Sequence, residues 1–213
     1  LVKLKRLFYS ILQIVFTVIT LVACTTEHLE LRSDQLFRLH ESSTTGITFL
    51  NELTYSEELN PYTFRSFYNG GGVGLGDFDN DGLLDIFLAG NIVSNKLYRN
   101  KGNFKFDDIT VSAGLQTERV WSTGVSVVDI NSDGYLDIYV CKSGPPGGAR
   151  RKNELFINQG DLTFKEQASE YGLAFEGLSI HAAFFDYDKD GDLDCYLLNN
   201  SLRSVGGFDL RKD

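Results

Sequence analysis

Methionine is absent from the 213 residues, and proline, cysteine and histidine occur three times each. Each shortage excludes something. Cys24, Cys141 and Cys195 form no C-x-x-C pair and no Cys/His cluster, so no zinc site is legible. His28, His40 and His181 are scattered, and nothing near His181 in sequence completes a triad, so it reads as a packed or channel-facing histidine. Basic residues are also short, at 20 Lys plus Arg against 29 Asp plus Glu, a net charge of −9. A nucleic-acid partner selects a basic face, so the balance argues against one.

What the chain does have is one acidic stretch three times over. DFDNDGLLD spans Asp77–Asp85, DINSDGYLD spans Asp129–Asp137, and DYDKDGDLD spans Asp186–Asp194. Positions 1, 3, 5 and 9 carry oxygen side chains: Asp77, Asp79, Asp81 and Asp85; Asp129, Asn131, Asp133 and Asp137; Asp186, Asp188, Asp190 and Asp194. The backbone carbonyl at position 7 (Leu83, Tyr135, Asp192) offers one more. Such oxygen sets suit Ca²⁺, which takes about six to eight hard ligands. Gly82, Gly134 and Gly191 at position 6 let each loop turn back, since glycine reaches φ > 0 without steric cost. About three ions are expected, with the second loop weakest because Asn131 replaces a carboxylate. Acidic turns without metal are the bland reading, and three matching copies weigh against it.

The EF-hand starts the same way but needs a bidentate Glu at position 12 and flanking helices. Position 12 here is Leu88, Val140 and Leu197, and the following runs LDIFLA, LDIYVC and LDCYLL read as strands. The loops recur at 52 and 57 residues, a period that points to a propeller or solenoid. A second segment repeats in step: Leu97, Tyr98, Asn100, Gly102 and Phe106 match Leu155, Phe156, Asn158, Gly160 and Phe164. It reads as strand, tight turn, strand. One repeat is then a small-residue strand, an acidic loop, an apolar strand and a hairpin, the four strands of a propeller blade. The fold class is all-β: about three blades of four-stranded antiparallel meander, an incomplete ring. Small residues at Gly72–Leu75, Gly124–Val127 and His181–Phe184 suit the crowded inner position. Leu84, Leu136 and Leu193 at loop position 8 are expected to plug the loops into the core.

Residues 1–23 read as a lipoprotein signal: Lys3, Lys5 and Arg6 precede an apolar stretch ending in Leu-Val-Ala-Cys, with lipidation expected at Cys24. An uncleaved anchor is the alternative. Residues 24–35 read as a tether and 36–213 as the propeller segment, with repeats around 67–115, 119–173 and 177–213. Phe37 and Gly46-Ile47 loosely match the later outer strands and their exit loops. Without the signal the net charge is −12, and three Ca²⁺ would bring it to −6. Cys141 and Cys195 read as small buried residues, with a disulfide as the alternative. Trp121 reads as blade packing. The glycine-rich Asn69–Gly76 opens onto an acidic loop rather than a helix, which disfavours a phosphate cradle. The basic loop Arg150–Lys152 reads as solvent-facing.

The loops and the N-x-L-[YF]-x-N-x-G hairpins together resemble FG-GAP/VCBS repeats, the blades of integrin-α-type propellers. The layout is also similar to bacterial propeller proteins that carry an ASPIC/UnbV domain. The resemblance covers 67–200 well and 36–66 loosely. It implies calcium in each loop and a role in adhesion or extracellular recognition. The expected protein is an exported, lipid-anchored bacterial envelope protein of the outer membrane, binding an extracellular protein or glycan. Its only membrane attachment would be the lipid. A polysaccharide-directed propeller enzyme is the alternative. Fewer than four blades do not close a ring, so further blades are expected beyond this stretch.

Overall fold

The computed structural model describes residues 36–117, 121–144 and 151–200. The chain divides into Leu1–Leu39 and His40–Asp213. Of the first unit only 36–39 are described, and they form no helix or strand. The signal, the whole tether including Cys24, the Gly-Pro-Pro loop after Gly144 and the end of the chain lie outside the described residues.

The second unit is built from antiparallel sheets. Strands β1 (Val73–Gly76), β2 (Asp85–Leu88), β3 (Lys96–Asn100) and β4 (Phe106–Asp108) form one sheet in the order β1-β2-β3-β4. Strands β5 (Trp121–Val128), β6 (Asp137–Ser143), β7 (Glu154–Asn158) and β8 (Phe164–Glu166) repeat that order. Strands β9 (Ser179–Phe185) and β10 (Asp194–Asn199) start a third copy. These are propeller-type blades of an all-β fold, each meandering from the inside outward.

Period-two alternation explains how the blades stack. In β6, Ile138 and Val140 face a core shared with the first blade, where Phe78, Phe87, Leu97 and Phe164 meet. Tyr139 and Cys141, on the opposite face of the same strand, join a core shared with the third blade through Ala182, Phe184 and Leu197. Every residue of β6 is buried, as expected for a sheet covered on both sides. The outer faces have no such cover: Val73 is 58% exposed and Tyr196 is 65% exposed.

The inner strands approach too closely for side chains. A Cβ on Gly72 would lie 2.5 Å from the Thr123 carbonyl oxygen, and one on Gly124 would lie 2.4 Å from that of Ile180. Hydroxyls bridge the blades where carbons do not fit. Thr123 Oγ1 donates to the Ser179 carbonyl at 2.8 Å, and Ser126 Oγ donates to that of Ala182 at 2.5 Å. The small-residue pattern of these strands thus reflects backbone-to-backbone packing.

Cys141 and Cys195 are free thiols at one core, and burial pushes the Cys141 thiol up to about 12. Trp121 of the second blade is buried against Phe64 and Phe67, with Ile92 from the first blade packed on the same cluster and a backbone bridge to Asn91. No strand precedes β1 among the described residues, so the expected outer strand near Phe37 is absent from 36–48. The exit loop is present: a helical turn, Ser42–Thr45, ends on Gly46 at φ 81°, whose Cβ position faces the Phe106 carbonyl oxygen. Gly114 at φ 73° faces the Phe164 carbonyl oxygen in the same way.

The position-8 leucines do not all plug their loops into the core, contrary to the sequence expectation. Leu136 packs into the first core, but Leu84 is 57% exposed and Leu193 is 40% exposed. Leu136 is covered because it lies over Gly76 of the preceding blade. Among the described residues nothing plays that part for Leu84. Burial at this position is not set by the loop itself, and a preceding blade is not sufficient for it, since Leu193 follows the second blade and stays 40% exposed.

Candidate metal centres

The three loops share one backbone course. Position 4 is left-handed in each, at Asn80 (φ 57°), Ser132 (φ 57°) and Lys189 (φ 65°), and so is position 6, at Gly82 (φ 87°), Gly134 (φ 88°) and Gly191 (φ 98°). Two left-handed residues in a nine-residue loop fold it tightly. Asp and Asn oxygens then find backbone donors inside the loop.

Position 1 caps the turn. Asp77 accepts the N–H groups of Asp81 at 3.0 Å and Gly82 at 2.8 Å. Asp129 accepts those of Asp133 at 3.0 Å and Gly134 at 2.9 Å, and Asp186 accepts that of Gly191 at 3.2 Å. Position 5 holds position 7: the N–H groups of Leu83, Tyr135 and Asp192 donate to Asp81, Asp133 and Asp190. Position 9 closes the loop, with the N–H groups of Phe78, Ile130 and Tyr187 donating to Asp85, Asp137 and Asp194 at 2.8–3.1 Å.

The ninth carboxylates also reach the hairpins. Asp85 accepts the Asn100 N–H at 2.7 Å, and Asp137 accepts the Asn158 N–H at 2.8 Å. The two asparagine side chains return the contact: Nδ2 of Asn100 donates to the Leu84 carbonyl, and Nδ2 of Asn158 donates to those of Leu136 and Phe78. The last bond crosses from one blade to the loop of the one before. From sequence alone these asparagines read as turn residues. Their signal was recurrence at a fixed distance from the loop, which turn formation alone does not require. The first asparagine of the motif has a job as well, since Asn95 and Asn153 accept the N–H groups of Gly90 and Lys142 at the end of the preceding strand.

Among the described residues, the first and third loops bring the carboxylates of positions 1, 3 and 9 together, without Asp81 or Asp190 of position 5, and the carboxylates of the second loop form no such group. One oxygen each from Asp77, Asp79 and Asp85 lies within 4.8 Å of the others, and so does one each from Asp186, Asp188 and Asp194. In the second loop Asn131 occupies the third place and is engaged internally: its Oδ1 accepts the Asp133 N–H at 3.1 Å, and its Nδ2 donates to Asp133 Oδ2 at 2.9 Å.

The electrostatics fit a cation. Burial pushes the Asp137 carboxyl up to about 6, against the opposing pull of the Asn158 and Ile130 N–H groups. Burial also raises Asp85, with Asp79 and Asp81 adding repulsion. Asp192 is raised first by Asp190 and then by the rest of its own loop. Both Asp79 oxygens are buried and receive no hydrogen bond, although Arg99 Nη2 forms an ion pair with one of them at 2.6 Å. Oxygen-only donors, a polar pair left short of partners and mutually repelling carboxylates suit a hard divalent ion.

Comparison with known proteins agrees with the geometry. Residues 56–140 match the FG-GAP-like repeat family. Cartilage acidic protein 1 of Xenopus tropicalis is 29% identical over 163 residues, covering 74% of this chain and 23% of that protein. The Mus musculus protein is 29% identical and the Homo sapiens protein 28% identical, each over 160 residues. The matched region is thus 23% of the length of these relatives. The family match begins ahead of the first blade and ends within β6, taking in the loop–strand–hairpin unit whose geometry recurs in the second blade; over this stretch the chain carries an FG-GAP-like repeat.

Proposed function

We propose that this chain is a calcium-binding propeller module of an exported, lipid-anchored envelope protein that serves extracellular binding or adhesion. The observation that carries the metal reading is the shared backbone of the three loops, with oxygen donors at the same four positions. Asp77, Asp79, Asp81 and Asp85 would hold one ion, with the Leu83 carbonyl. Asp129, Asn131, Asp133 and Asp137, with the Tyr135 carbonyl, would hold the second. Asp186, Asp188, Asp190 and Asp194, with the Asp192 carbonyl, would hold the third.

Bound calcium supplies charge neutralisation and crosslinking, not reaction chemistry. Each loop joins an inner strand to its neighbour, and the ninth carboxylate in the first two blades also touches the hairpin. An ion held there ties parts of one blade together, and its binding free energy adds to folding. Elemental analysis after dialysis against calcium should give about three ions per chain, with Mg²⁺ a poor substitute because it demands a smaller octahedral site. Zero bound ions would remove the metal reading.

Export and anchoring rest on the charged front, the apolar run and the Leu-Val-Ala-Cys box. No helix among the described residues is long and apolar enough to cross a membrane. Metabolic labelling with a palmitate analogue should mark the wild type and not Cys24→Ala; equal labelling of both refutes the anchor. A binding role rather than an enzymatic one agrees with the relatives, whose name states an acidic protein of cartilage and no reaction. The proposed partner is an extracellular protein or glycan.

A further inference from the structure

The first and second blades differ at one place that matters to their loops. In the repeated hairpin motif the residue before the second asparagine is Arg99 in the first blade and Ile157 in the second. Ile157 is buried in the core shared with the third blade. Arg99 instead extends to the first loop, where Nη2 lies 2.6 Å from Asp79 Oδ2 and 3.6 Å from Asp81 Oδ2. Its Nε is buried and has no hydrogen-bond partner, so the guanidinium faces the carboxylates with little else to hold it. No other Lys or Arg forms an ion pair with a loop carboxylate among the described residues.

We propose that Arg99 is a tethered cation that competes with calcium for Asp79 and Asp81, so that the first loop binds calcium more weakly than its four carboxylates imply. This rests on the metal reading above. A guanidinium cannot be deprotonated near neutral pH and pairs well with carboxylates. It therefore supplies counter-charge to the first loop without metal, and it must give up those contacts before both carboxylates can turn to an ion. The competition is linkage: whatever stabilises the metal-free loop subtracts from the affinity of the loaded one. Four carboxylates less one guanidinium leave the first loop with the same net charge as the second, which has three carboxylates and Asn131. The expectation from ligand count alone, that the second loop is uniquely weak, does not hold on this account.

Calcium titration by calorimetry tests it on the whole chain, comparing wild type with Arg99→Ile and Arg99→Gln. One site should tighten by about fivefold, the scale of a partly exposed ion pair. The metal-free variants should melt below the metal-free wild type, because the carboxylates lose their counter-charge. Arg99→Gln keeps a polar stem at a position one-third exposed, so it guards against a packing defect in Arg99→Ile. In an Asp81→Ala background the gain should shrink, which assigns it to the first loop. Unchanged isotherms in both variants, with calcium still bound, would overturn the role of Arg99 and leave the metal reading intact. A wild type that binds no calcium would overturn both.

Discussion

Gly124→Val should destabilise the chain by about 3 kcal/mol, the upper part of the range for overpacking a filled interior. The reason is the distance between inner strands. A Cβ at this position would lie 2.4 Å from the Ile180 carbonyl oxygen and 2.8 Å from the His181 Cα. Both are backbone atoms, so no rotamer change relieves the clash. The blades must separate, which would strain the hydroxyl bonds from Thr123 and Ser126 to β9. Gly134→Ala is the control. That glycine sits at φ 88° with no atom within 4 Å of its Cβ position, so only backbone strain, about 1–2 kcal/mol, applies. Urea denaturation of both variants should rank them in this order. Equal costs would mean that the inner strands can move apart.

Asp137→Ala should cost about 3 kcal/mol even in chelator, because it removes structure as well as a ligand. The side chain is fully buried and accepts the N–H groups of Ile130 and Asn158. Alanine leaves both donors short of a partner, and an orphaned buried donor costs about 1–3 kcal/mol. Asp137→Asn keeps one acceptor and should lose about half as much. The same carboxyl makes a pH prediction for the metal-free chain. Its folded pKa, held up to about 6 by burial, is above the unfolded value of about 3.9. Such a group contributes stability that is fully present below the unfolded value and is lost as pH rises through the folded one. In chelator, the melting temperature should therefore fall between pH 4 and pH 7, less steeply in Asp137→Asn.

How much of this was legible depended on whether a residue's role is local. The loops were legible because oxygen side chains and glycine recur at fixed offsets, and the left-handed glycines stand where the pattern put them. The strands were legible because Ile138, Tyr139, Val140 and Cys141 alternate between two cores with no polar residue among them. Leu84 and Leu136 share a motif position but not an environment, since the blade that covers Leu136 is set by the fold. The asparagines were visible as a repeat, yet the bond from Asn158 to the Phe78 carbonyl spans 80 residues and appears only once the blades stack. Arg99 was invisible for the opposite reason, as a departure from the repeat at a place where the motif allows any residue.

The central claim is that calcium in these loops is structural. Thermal melting at pH 7 with saturating calcium and again with excess chelator tests it most directly. Three sites each filled to about a hundred times its dissociation constant would add about 2.7 kcal/mol apiece. The account predicts a large, reversible rise in melting temperature with calcium, reduced in steps by Asp81→Ala, Asp133→Ala and Asp190→Ala. A melting temperature that is the same with calcium and with chelator would contradict it.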